Sequence, residues 1–148
     1  MSSDNNSMWD KIDPILRKKL VWIIWFVTWI GLVAGYFYRV YYEYVVYFTA
    51  AHTLLLFFLT GFRIRLFPVQ VRVAYLIWVT IGTYVPHMII LMYITTIGLA
   101  TNLFLDYCPL ARMMYLFHWN RSEPFSLELV KNVFISPPSE GQFNPRQQ

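Results

Sequence analysis

The chain has 148 residues, enough for one domain, with twelve Lys and Arg against eight Asp and Glu. Charged residues make up 14% of it and aromatic residues 20%, where soluble domains carry about 25% charge. The 86 residues from Leu20 to Leu105 hold only Arg39, Glu43, Arg63, Arg65 and Arg72 as formal charges, which excludes a soluble globule, because its surface would have to be built from apolar side chains. The basic residues stand singly at the ends of apolar segments, so the net charge of +4 is a topology signal and not a nucleic-acid one.

Residues 1–19 form a polar segment ending in Arg17, Lys18 and Lys19. The apolar run behind them is too long for a signal-peptide core, and no small-residue cleavage site follows it. A spanning helix needs about 20 apolar residues at ~1.5 Å each. Residues 20–38 and 44–62 supply two such segments joined by a short turn, hence an antiparallel hairpin. The stretch from Phe67 to Leu105 divides at Pro86, which disfavours helix in the residue before it. The expected third and fourth spans are residues 68–85 and 87–105, with Arg72 snorkelling to the interface one turn inside the third. The expected fold is therefore an all-α integral membrane protein with four transmembrane helices in two antiparallel hairpins.

Charge placement supports that count. Arg17, Lys18, Lys19, Arg63, Arg65 and Arg72, with Arg112, Arg121 and Lys131 of the tail, fall on one side of a four-span chain. The positive-inside rule makes that side cytoplasmic and places both termini there, as in a bacterial inner membrane. Tyr36, Tyr38, Tyr41, Tyr42, Tyr44 and Tyr47 crowd the opposite end of the first hairpin as an aromatic belt.

Residues 106–134 read as one or two short interfacial helices, and 135–148 as disordered. Asp106 is the expected N-cap of the first, whose apolar face would be Leu110, Met113, Met114 and Phe117. Ser122 or Ser126 would cap the second, with Leu127, Val130 and Phe134 on one face. This tail also carries Cys108, Arg112, His118, Trp119 and Arg121, and a lone cysteine there is a small interfacial hydrophobe.

His52 is the candidate for chemistry. It falls near the middle of the second span, where ionisable residues are costly and mark function. Its structural alternative is a neutral imidazole bonded to Thr28, Thr95, Thr96 or Trp78 at similar depth. The offset between His52 and His87 is about eight residues, or ~12 Å along a helix, too far for two axial ligands of one haem. Gly31 and Gly35 form a GxxxG that suits close helix packing, inside the bundle or against a partner. Trp22, Trp25 and Trp29 form a stripe expected to face lipid or a partner.

No nucleophile–base arrangement, phosphate loop or intramembrane carboxylate appears. The leading expectation is a non-catalytic accessory or assembly subunit of a larger membrane complex, held in the bilayer beside a protein partner or a second copy. The alternatives are a redox-linked protein in which His52 touches haem, copper or quinone, and a small permease for a neutral or apolar solute.

Overall fold

The computed structural model describes residues 8–121 and 123–137. Among them all regular structure is helical: α1 Met8–Lys11, α2 Pro14–Phe37, α3 Val40–Leu59, α4 Phe67–Tyr84, α5 Ile90–Leu105, α6 Pro109–Tyr115 and α7 Leu127–Ile135. α2 and α3 are each long and apolar enough to cross a membrane, and α5 with α6 makes a third candidate across a 97° bend. α2 to α5 pack in a ring in chain order, α5 closing back on α2.

α2 starts at Pro14, earlier than the expected Leu20, because Asp13 caps it: Ile15 N donates to Asp13 Oδ1 at 3.0 Å. Proline is tolerated at that first position, where its missing N–H costs nothing. Arg17, Lys18 and Lys19 therefore sit on helix. Only Tyr38 and Arg39 separate α2 from α3. The hairpin closes because Gly35 leaves room for the ring of Tyr42, and a Cβ there would overlap that ring. Tyr42 is consequently buried, while the other tyrosines of the belt are exposed.

α3 stops at a left-handed Gly61, φ +64°. Gly61 N donates to Phe58 O at 3.2 Å and Phe62 N to Phe57 O at 2.8 Å, the paired bonds of a Schellman ending. The turn from α4 to α5 contains Pro86 and a left-handed His87. α5 then runs to Asp106, which adopts the left-handed conformation, φ +52°, as its C-cap. This corrects the expectation that Asp106 caps the following helix. That cap is Cys108, whose Sγ accepts from Ala111 N at 3.4 Å.

The tail folds onto the bundle as a second small core of Val71, Ala111, Tyr115, Leu129 and Val133. Its faces differ from those the sequence suggests. α6 turns Ala111, Arg112 and Tyr115 inward and leaves Met113 and Phe117 exposed. α7 is capped by Ser126, whose Oγ accepts from Leu129 N at 3.0 Å. It buries Leu129 and Val133, leaves Leu127 outside, and extends through Ile135. The alternative cap Ser122 and residues 138–148, expected to be disordered, lie outside the described residues.

Arg112 explains the rotation. Its guanidinium bonds Val133 O, Ser136 Oγ and, at 3.0 Å, Pro137 O. It also lies 4.1 Å over the Tyr107 ring, while Tyr107 OH donates to Phe134 O at 2.8 Å. The last carbonyls of a helix lack partners within it and attract a cation. Burying Arg112 supplies both at the end of α7. Gln70 fastens the connection after α6, accepting from Trp119 Nε1 at 3.1 Å and Asn120 Nδ2 at 2.7 Å.

Candidate functional site

Three helices bring their polar residues to one layer of the bundle. α3 turns Thr49, His52, Thr53 and Leu56 inward, and α4 turns Arg72, Tyr75, Val79 and Gly82 inward. Both sets follow the three- and four-residue spacing of one helix face. Between them α2 inserts Trp25, edge-on to His52 with ring centroids 5.5 Å apart and to Tyr75 at 4.9 Å. The Arg72 guanidinium carbon lies 5.9 Å from the Trp25 ring, and Phe48 meets His52 from its own helix at 5.5 Å.

Arg72 is thus buried among side chains, with its guanidinium beside the Trp25 ring, where the sequence suggested an exposed, snorkelling side chain. Trp25 likewise departs from the expected outward stripe. Trp22 remains partly exposed, and the Trp29 ring packs edge-on against Phe104 at 5.6 Å.

Within this layer both nitrogens of His52, the hydroxyls of Thr49 and Thr53, and the Tyr75 hydroxyl are buried without hydrogen-bond partners. Such a group costs about 1–3 kcal/mol, so close packing alone explains this layer least well of any part of the bundle. The partners expected for His52 are engaged elsewhere. Thr28 donates to Ile24 O at 2.8 Å and Thr96 to Met92 O at 2.8 Å. Trp78 Nε1 donates to Thr95 Oγ1 at 2.8 Å, tying α4 to α5.

On the far side of Trp25 and Tyr75 lies a groove of about 230 Å³ between α2, α4, α5 and α6. Trp22, Trp78 and Leu99 contribute apolar walls, and Lys18, Asn102 and Asp106 stand where α2 begins and α5 ends. His52 does not line it. Trp22 Nε1 donates to Leu103 O at 3.4 Å, so the indoles of both Trp22 and Trp78 are fixed by bonds to α5. Cys108 also lines the groove. Burial pushes its thiol up, which keeps it protonated at neutral pH and a weak nucleophile.

The remaining candidates do not converge on this layer. His87 is exposed at one end of the bundle and His118 in the connection between α6 and α7, well apart in the fold from His52. Among the described residues no three of His, Cys, Asp and Glu come close enough to hold a metal ion. Gly31 and Gly35 face α3 of the same chain, where a Cβ on Gly31 would sit 2.8 Å from Val45 Cγ2. Arg63 and Arg65 are exposed between α3 and α4. Arg121 lies 5.5 Å over the Phe125 ring.

Tyr75, Gln70 and the inward turn of Trp25 were missed from sequence. The signal was present for Tyr75: Arg72, Tyr75, Val79 and Gly82 recur at helical spacing and mark one face once Arg72 is allowed indoors. No protein-family model, curated protein or solved structure matches the chain.

Proposed function

We propose that the chain is a four-span protein of a bacterial inner membrane, with both termini cytoplasmic, and serves as a non-catalytic accessory subunit of a larger membrane assembly. Four spans require α4 and α5 to act as separate crossings beside α2 and α3. At 18 and 16 residues they extend about 27 and 24 Å at helical rise, short of a ~30 Å hydrocarbon core but within what local thinning tolerates. The bundle then places Arg17, Lys18, Lys19, Arg63 and Arg65 at the end where α6 and α7 dock.

The observation that carries the accessory role is the folded platform at that end. Arg112, Tyr107 and Gln70 hold α6, α7 and their connection in fixed register. Outward from it project Phe117 and Trp119, stacked with ring centroids 5.0 Å apart, together with Phe125 and Leu127. Exposed aromatic and aliphatic side chains on a rigid support are what protein association uses. The GxxxG is used within the bundle, so the platform is the better candidate for contact with a partner.

A second reading, in which His52 serves haem, copper or quinone, draws on its two buried nitrogens without partners. Purification from native membranes in mild detergent separates the two readings. The accessory role predicts a discrete complex larger than the chain that persists in His52→Ala and dissolves in Trp119→Ala with Leu127→Asp. It also predicts an absorption spectrum of aromatic residues alone. A Soret band, or stoichiometric iron or copper, lost in His52→Ala would overturn it.

A further inference from the structure

The groove between α2, α4, α5 and α6 is a concavity in an outer surface that carries many exposed apolar side chains. At about 230 Å³ it exceeds the ~150 Å³ apolar cavity known to hold a benzene ring. Its polarity runs in one direction. Trp78, Ile94 and Thr95 border one end, halfway along the bundle, while Asn102, Lys18 and Asp106 border the other. Thr95 and Asp106 stand eleven residues apart on α5, or about 16 Å at helical rise. Lys18 and Asp106 both line the groove at that polar end and are exposed, so charges of both signs border its mouth. Hydrogen bonds to α5 fix the Trp22 and Trp78 indoles that line it.

An apolar slot about 16 Å long with charges of both signs at its mouth matches one molecule type in a membrane. We propose that the groove binds one acyl chain of an inner-leaflet phospholipid whose head group carries a phosphate and a primary amine. The chain lies along Leu99 and Trp78, the phosphate meets Lys18, and the ammonium meets Asp106 and Asn102. A purely anionic head would leave Asp106 facing like charge, and a quaternary ammonium would offer Asp106 no hydrogen to accept. The proposal rests on the membrane reading of α2–α5 and is independent of any protein partner.

The test uses the full chain, stripped of lipid in detergent. Phosphatidylethanolamine, phosphatidylcholine and phosphatidylglycerol of identical acyl composition are added in turn. Retained lipid is read by native mass spectrometry, and thermal stability by tryptophan fluorescence. Phosphatidylethanolamine should be retained at one per chain and raise the melting temperature most. Asp106→Asn keeps a residue tolerated in the left-handed conformation and should weaken that lipid about three- to tenfold, to the level of phosphatidylcholine. Gly98→Leu should abolish retention, since a Cβ at Gly98 meets only Pro109 Cγ at 3.4 Å and a larger side chain can occupy the groove. Equal retention of all three lipids by the native chain, or unchanged phosphatidylethanolamine preference in Asp106→Asn, overturns the proposal. Either result in a chain that still integrates into membranes leaves the four-span reading standing.

Discussion

Replacing Arg112 with leucine should release α7 from the bundle while leaving α2–α5 packed together. The side chain is 1% exposed, and its guanidinium is the common partner of Val133 O, Ser136 Oγ and Pro137 O. Hydrogen bonds to a charged donor are worth about 1.5–3 kcal/mol each and are not additive, so a total near 3–5 kcal/mol is expected. Hydrogen exchange should show residues 127–135 losing protection, and proteolysis should open the connection before Ser126. Arg112→Lys should recover only part of the effect, because an ammonium cannot present the planar fork that reaches three acceptors. Unchanged exchange in α7 after Arg112→Leu would show that Leu129 and Val133 hold the platform unaided.

The second large effect belongs to Gly35. A Cβ at that position would overlap the Tyr42 ring, and Gly35→Ile would add three further carbons beyond it. Overpacking of this kind costs about 1–3 kcal/mol and more when backbone must move. Membrane integration should survive while the melting temperature in detergent falls sharply. Gly31→Ala should be milder, since its obstacle is one methyl of Val45 and not a ring. The double variant Gly35→Ala with Tyr42→Leu should regain much of the loss, because the two changes share one volume. A Gly35→Ile protein that melts normally but separates from its partner would restore the GxxxG to an external role.

Much of the bundle was legible because hydrophobic runs and their breaks are strong signals. Pro86 marked the turn between α4 and α5, and Ser126 marked the start of α7. Residues whose setting depends on distant chain were harder to read. Arg72 sits one turn inside an apolar segment, which reads as snorkelling until Trp25 arrives from another helix to cover it. Arg112 lies off the apolar face of α6, which reads as solvent exposure unless the end of α7, 21 residues later, supplies carbonyls.

The same limitation misled the Asp106 assignment. An aspartate three residues before a proline resembles an N-cap, but the chain first ends α5 there in a left-handed turn. Trp22, Trp25 and Trp29 showed a stripe that reads as outward-facing, and Trp25 turns inward because His52 and Tyr75 supply an aromatic pocket from two other helices. The groove had no sequence signature, since it is the space left between α2 and the bent α5–α6 pair.

Topology is the most direct test of the central claim, that α2–α5 cross the membrane four times with the platform on the cytoplasmic side. Alkaline phosphatase, active only outside the inner membrane, would be fused in separate constructions after Arg39, after Pro86 and after residue 137. Activity at the first two positions and none at the third is the predicted pattern, with a cytoplasmic fluorescent reporter showing the reverse. Activity after residue 137, or none after Pro86, would mean that α4 and α5 are not two separate crossings, and would contradict the account.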